Sequence, residues 1–361
     1  MEKDRTTQSE DPLPKRQIIV GIVYNLKKGV KGKTPDEEAE YDHFDTVESI
    51  AKAIESNGYK TVLLEADKQL PIKLLNTHID IAFNIAEGFC GRGREAQIPA
   101  LLNMYGIPYT GSDETTLCVA LDKAMTKRLL GTYHIKSPKS QTISTKEHKM
   151  GKISFPVIMK PNAEGSSKGI SAVSIAESPE KLKALMHRNL SLYEQNFLAE
   201  EYIEGREFTV GILGNGEETQ VFRPMEIIYK RATQGKYHVY SYDVKQEYKK
   251  YVSYACPATF AKGIEEKMMH IARQVYDILE CRDFARMDFR LTADNEIYFI
   301  EINPLPGLAP GYSDYPMLAE FQGIPYEELV QHVLGCALRR LHINDAPDTD
   351  SEKKAVCGGV K

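Results

Sequence analysis

Apolar positions recur at strand period, then at helix period, and the two alternate through the first part of the chain. "RQIIVGIVYN" (16–25) is an apolar run of strand length, and in "DTVESIAKAIESNG" (45–58) Val47, Ile50, Ala51 and Ile54 fall at helical spacing. Asp45 or Thr46 is placed to cap that helix and Gly58 to stop it. "YKTVLLEAD" and "HIDIAFNIAEG" read as further strands, so residues 17–112 predict a parallel sheet with helices packed on it. No GxGxxG follows the first strand: "GIVYNLKKG" is not a dinucleotide loop.

The alternation then breaks. "SDETTLCVALDKAMTKRLLG" reads as a helix leading into a new unit, and "FPVIMKPNAEGSSKGISAVSI" as strand, Gly/Ser-rich loop and strand. "SPEKLKALMHRNL" is a capped helix, and "FLAEEYIEGREFTVGILG" holds two strands about a turn at Gly205. A Tyr/Lys-rich stretch (230–254), the helix "EEKMMHIARQVYDILE", a hairpin and a closing helix follow. The expected division is a disordered leader (1–16), an N-terminal α/β domain (17–112), a central α+β domain (113–210), a C-terminal α+β domain (211–343) and a disordered tail (344–361).

The hairpin poses an electrostatic question. In "ARMDFRLTADNEIYFIEINPLPG" (285–307), a turn at Asp294-Asn295 sets Asp288 across from Glu301 and Arg286 across from Asn303. Strand alternation then puts these four on one face and Met287, Phe289, Ile300 and Ile302 on the other. Facing carboxylates about 5 Å apart repel by roughly 3 kcal/mol at an effective dielectric near 20. A shared proton, Arg286 or a divalent cation can offset this. Asp, Glu and Asn offer hard oxygens suited to Mg²⁺; the plainer reading is a solvated charged face bridged by Arg286 and Arg290.

Composition narrows the class without naming it. A chain of 361 residues, 42% hydrophobic, 27% charged and of net charge −5, has the makeup of a soluble globular protein and gives no global reason to expect binding to nucleic acid or anionic membrane. No apolar run approaches a membrane span or the core of a signal peptide, and a cytoplasmic location is the default. The six cysteines form no CxxC pair and no HExxH occurs, which argues against a zinc ribbon or a disulfide framework; the cysteines are expected to be mostly buried thiols.

"KPNAEGSSKG" (160–169) can wrap an anion with backbone N–H groups and hydroxyls, a lysine on the preceding strand adding charge, although Gly-Ser turns are also common surface loops. Lys123 and Lys127 in "DKAMTK", and Glu200 and Glu207 in "AEEYIEGRE", read individually as surface charge. Lys245 sits in a polar, aromatic-rich stretch.

Taken in order, "GIPYTGSD", "LDKAMTK", "FPVIMKPNAEGSSKGI", "AEEYIEGREFTVGILG", "CPA", "ARMDFRL" and "EINPLPG" resemble the ATP-grasp superfamily and, within it, the D-alanine–D-alanine ligase family, across most of residues 17–343. The resemblance implies an ATP-grasp ligase of three domains. It casts Lys123 and Lys160 as nucleotide lysines, Ser166 and Ser167 as the loop over the phosphates, and Lys245 as a flap lysine. Glu200, Tyr202 and Ile203 match the adenine-side segment and Glu207 the ribose glutamate. Asp288, Glu301 and Asn303 match ligands of two Mg²⁺, with Mn²⁺ an alternative. Arg286 matches the arginine at the reacting centre and Gly307 an oxyanion N–H. It implies ATP as co-substrate, small amino-acid substrates and, by analogy, a homodimer.

The amino-acid side departs from the family. Its Gly-Gly-x-Ser-x-Glu stretch is replaced by "YNLKKGVKGKTPDEEAEYDHFD", leaving Glu40 to face the first amino group. "NIAEGFCGRGRE" lacks the family's histidine, Gln246 follows the flap lysine in place of tyrosine, and "NPLPGLAPGYSDYP" is one residue longer, with Ser313 in the place that binds the second carboxylate. The leading expectation is a D-alanine–D-alanine ligase or close relative. The alternatives are a ligase joining an amino acid to another small carboxylate and a non-catalytic nucleotide-binding regulator.

Overall fold

The computed structural model describes residues 17–29, 38–165, 174–193, 195–230, 237–241, 244–245 and 247–343. Ser166, Ser167, Gln246, the leader and the tail lie outside the described residues.

The first unit follows the sequence pattern. β1 (Ile19–Tyr24) is flanked by β2 (Lys60–Glu65) and β3 (Ile81–Asn84), all parallel, with α1 (Phe44–Glu55), α2 (Leu70–Asn76) and α3 (Gln97–Met104) between and after them. Parallel strands need crossovers, and the helices supply them. Neither Asp45 nor Thr46 caps α1: the helix begins one residue earlier, after His43, with Asp45 in its first turn, where its charge complements the helix dipole, and Thr46 buried.

The stretch 112–131 is two helices rather than one. α4 (Glu114–Leu121) ends where Asp122 turns extended, with ψ of 94°, and α5 (Lys123–Thr132) starts at once. The Asp122 carboxylate accepts from Met125 N at 2.8 Å, so it caps α5 as an aspartate outside a helix commonly does. The break rotates Lys123 and Lys127 inward, and both are buried.

Two antiparallel sheets form the remainder. One has the order β4 (Ser140–Ile143), β7 (Phe197–Glu201), β5 (Val157–Pro161), β6 (Ile175–Ala176), backed by α6 (Pro179–Leu192), whose expected cap is present as Ser178 accepting from Lys181 N. The other runs β11 (Val252–Ala255), β10 (Met225–Tyr229), β8 (Arg206–Leu213), β12 (Phe284–Leu291), β13 (Ile297–Asn303), with β9 (Gln220–Val221) beside β8. Consecutive β7 and β8 thus belong to different sheets, and the chain crosses between them at Gly205. Its φ is +155°, and a Cβ there would stand 2.2 Å from the Leu291 carbonyl oxygen, so only glycine fits. α7 (Tyr248–Tyr251) leads into β11, and α8 (Ile264–Ile278) covers the larger sheet through Met268, Ala272 and Val275. α9 (Asp314–Phe321) and α10 (Tyr326–Arg340) end the described chain; Leu329, Val330, Val333 and Leu334 of α10 share one apolar core with Val47, Ile50 and Ile54 of α1.

The described cysteines are free, but Cys90 and Cys118 are exposed and only Cys281 and Cys336 are buried, so burial as the general expectation fails. Cys90 lies in an irregular loop and Cys118 within α4, away from the buried Leu117, Ala120 and Leu121. Among the described residues no helix is long and apolar enough to cross a membrane.

Candidate active site

The two antiparallel sheets face each other across a cleft lined by Lys160 and Glu200 from the smaller sheet and Glu207, Arg286, Asp288 and Glu301 from the larger. The opposition expected from the hairpin is present: Asp288 pairs with Glu301 and Arg286 with Asn303. It arises by a different route. The loop holds three residues, 293–295, closed by Asn295 N to Thr292 O and Thr292 N to Glu296 O, with Asn295 left-handed at φ 60°. That loop alone would set Asp288 against Ile300 and turn Glu301 to the other face. A bulge restores the pairing, since the register shifts between Asp288 and Phe289 and leaves Ile300 as the extra residue. Ile300, expected on the apolar face, instead lines the cleft and gives its carbonyl oxygen to Lys127 Nζ at 2.8 Å.

Charge is arranged in layers. Glu200 is sandwiched between Lys127 at 3.0 Å and Lys160 at 3.1 Å, all three buried. Burial opposes ionising Glu200, but the two lysines hold its carboxyl below its ordinary value. Burial pushes Lys127 down to about 8 despite Glu200. Lys123 donates to Glu164 O at 2.6 Å and lies 3.4 Å from Glu301. Burial and the facing Glu301 raise Asp288, whereas Lys123, Lys160 and Arg286 outweigh burial at Glu301 and lower it. Arg286 donates to Asp288 at 3.0 Å. The side-chain oxygen of Asn303 accepts from Leu305 N at 3.0 Å.

Arg290 does not bridge the carboxylate pair. It alternates with Arg286 and Asp288 on one face of β12 but turns to Glu207 at 2.5 Å and to the carbonyl oxygen of His238 at 2.8 Å, and reaches the hydroxyl of Tyr202 and the carbonyl oxygen of Ile203. Glu207 also accepts from Tyr229 at 2.9 Å. Arg290 therefore ties together Tyr202, Ile203 and Glu207 at the far end of the cleft. Period-two alternation from Arg286 put Arg290 on the cleft face but carried no sign of its partner Glu207 on the neighbouring strand.

Glu40 lies at the other end. It accepts from Gly165 N at 2.6 Å and pairs with Arg94, which also donates to Ala163 O at 2.6 Å. The carboxylates of Glu40, Glu87 and Glu95 stand within 4.8 Å of one another. Burial pushes Glu95 up to about 7, with Arg94 opposing. Arg94, Glu87 and Glu95 were not foreseen as site residues; they occupy the stretch where the histidine was missing. Lys245 lines the cleft, and burial lowers it. Ser313 accepts from Ala309 N at 3.2 Å beside Gly307, where a Cβ would stand 2.9 Å from the serine oxygen. Asp314, also unforeseen, is buried beside Arg286.

Facing antiparallel sheets, with buried Lys160 on one and a carboxylate hairpin on the other, are the arrangement of the ATP-grasp ligase fold. Residues 132–335 match the family model described as the D-ala D-ala ligase C-terminus. The chain is 34% identical to a D-alanine–D-alanine ligase of Aquifex aeolicus over 80% of this chain and 93% of that one. Among solved structures it resembles D-alanine–D-alanine ligase from Bacillus anthracis complexed with ATP (TM-score 0.69, 20% identity, 90% of this chain and 98% of that one). It also resembles the VanG D-Ala:D-Ser ligase from Enterococcus faecalis (TM-score 0.68, 18% identity, 89% of this chain and all of that one). The chain belongs to the D-alanine–D-alanine ligase family, and its activity is that of an ATP-dependent carbon–nitrogen ligase.

Proposed function

We propose that the cleft activates an amino-acid carboxylate, D-alanine first among the candidates, as an acyl phosphate and transfers it to an amine. The donor carboxylate attacks the γ-phosphorus of ATP, ADP departs, and the amine nitrogen then attacks the carbonyl carbon and expels phosphate. Lys123, Lys160 and Lys245, with Ser166 and Ser167 of the glycine loop, hold the phosphates. Glu200, Tyr202 and Ile203 border the adenine and Glu207 the ribose, on the scaffold that Arg290 draws together. Arg286 and the N–H of Gly307 stabilise negative charge on the tetrahedral oxygen. Glu40 receives the donor's ammonium, and Ser313 stands at the acceptor end. Positioning supplies much of the acceleration, because phosphoryl transfer asks for little covalent chemistry from the protein.

The hard-oxygen set Asp288, Glu301 and Asn303 fits Mg²⁺, since facing, half-buried carboxylates favour a cation between them. Mg²⁺ when bound would neutralise charge on the phosphates. The observation that carries the reading is the bulged register that sets Asp288 against Glu301 in the same cleft as Lys160. A location in the cytoplasm, where ATP is supplied, fits this chemistry.

The test is ATP-dependent phosphate release with Mg²⁺, first with D-alanine and then with a panel of D- and L-amino acids and small carboxylates, products being identified by mass spectrometry. Release with D-alanine and a dipeptide product is expected. Silence with D-alanine but release with another donor points to a ligase for a different carboxylate, as the altered Glu40–Arg94 end allows. Silence with every donor overturns the reading.

A further inference from the structure

Asp314 has no part in the chemistry described so far, yet it lines the same cleft as Arg286 and Lys245. It opens α9 and is buried. One carboxylate oxygen lies 3.5 Å from Nη1 of Arg286, whose Nη2 is on Asp288. The other accepts from Tyr254 at 3.1 Å and from Tyr240 at 3.4 Å, and the two phenol oxygens are 2.9 Å apart. An acidic residue in a first helical turn is ordinary, because it complements the helix dipole. That role requires neither burial nor a guanidinium and two phenols gathered round the carboxylate.

The consequence lies in how Arg286 is shared. Its guanidinium spans two carboxylates, Asp288 on the hairpin and Asp314 on α9, so its charge is already matched on both sides. A substrate carboxylate brought up to Arg286 from the α9 side would meet Asp314 at short range in a cleft that screens poorly. An ammonium or a neutral amide would meet no such repulsion.

We propose that Asp314, braced by Tyr240 and Tyr254, sets acceptor specificity, and that this ligase prefers, as acceptor for its activated donor, an amine without an anionic carboxylate beside the attacking nitrogen, such as a simple amine or an amino-acid amide, with D-alanine the poorer acceptor. The inference rests on the ligase reading above. In the transfer step the acceptor nitrogen forms the C–N bond, the acyl C–O bond breaks with its electron pair leaving on phosphate, and the displaced proton passes to solvent. Asp314 chooses which amine enters and is not asked to take that proton.

The test uses the full chain with Mg²⁺ and γ-phosphate-labelled ATP. Donor-dependent positional isotope exchange first establishes the donor. Equimolar D-alanine and D-alaninamide are then offered as acceptors and the two products are counted by mass spectrometry. The native enzyme is expected to favour the amide at least tenfold. Asp314→Asn and Asp314→Leu are expected to move the ratio at least tenfold toward the free amino acid, through the acceptor KM, with exchange still measurable; Asp314→Glu should keep the native preference. Equal use of both acceptors by the native enzyme, which needs no variant to fold, overturns the proposal. So does a ratio unmoved in variants that still exchange. Loss of donor-dependent exchange with every donor in the native enzyme instead removes the ligase reading, and the proposal with it.

Discussion

Asp288 faces Glu301 because Ile300 is bulged out of the ladder between that pair and the turn. The shift introduced by a three-residue loop is undone by one extra residue, and the carboxylates meet. Glu301→Gln is expected to abolish ATP-dependent ligation while leaving the melting temperature within a few degrees of native. Near-native turnover would show that Glu301 is not a metal ligand.

The loop carries its own signature. Asn295 holds φ 60°, a conformation that asparagine and glycine tolerate and β-branched residues do not. Asn295→Gly should leave unfolding free energy nearly unchanged, whereas Asn295→Val should cost roughly 1–2 kcal/mol. Chemical denaturation of the two variants side by side measures the difference.

A buried carboxylate between two buried lysines makes Glu200 expensive to remove. Glu200→Ala strands Lys127 and Lys160 without their shared counter-charge, and breaking buried pairs in this way typically costs about 3–5 kcal/mol. Urea unfolding should show a loss of that order, and ATP affinity should fall as Lys160 is displaced. Full native stability in the alanine variant would remove the ion-pair sandwich from the account.

Stability should depend on pH through Glu95 and Asp42. Burial raises both carboxyls to about 7, well above their unfolded values near 4. The folded protein then binds more protons than the unfolded chain between those values. Their contribution is most favourable near pH 4, is lost as pH rises toward 7, and is flat beyond. Thermal melts of native protein and of a Glu95→Gln, Asp42→Asn variant should diverge across that window, the variant gaining relative stability as pH rises from 5 to 8.

Periodicity carried the N-terminal parallel sheet, the antiparallel units and the hairpin opposition, because strand alternation and helical spacing are local properties. What it missed depends on partners far along the chain. Lys127 looked like solvated helix charge, but a break at Asp122 turns it toward Glu200 and toward a carbonyl 173 positions away. Arg290 looked like a bridge between neighbouring acids, yet its partner Glu207 lies on the adjacent strand β8. Arg94 and Asp314 stand where the sequence departs from its family, so resemblance had nothing to transfer to them. The bulge at Ile300 was invisible because two register shifts cancel and leave the outcome unchanged.

The shared core of α1 and α10 has a consequence for how the protein is made. During synthesis the first sheet and α1 leave the ribosome long before residues 326–340 exist, so Val47, Ile50 and Ile54 can pack on the sheet early but the side of their cluster that α10 covers stays open for most of translation. A helix that emerges late, α10, closes a unit built early. A chain stopped short of α10 would therefore lose the lid of its earliest core, and exposed apolar surface of this kind invites aggregation and proteolysis.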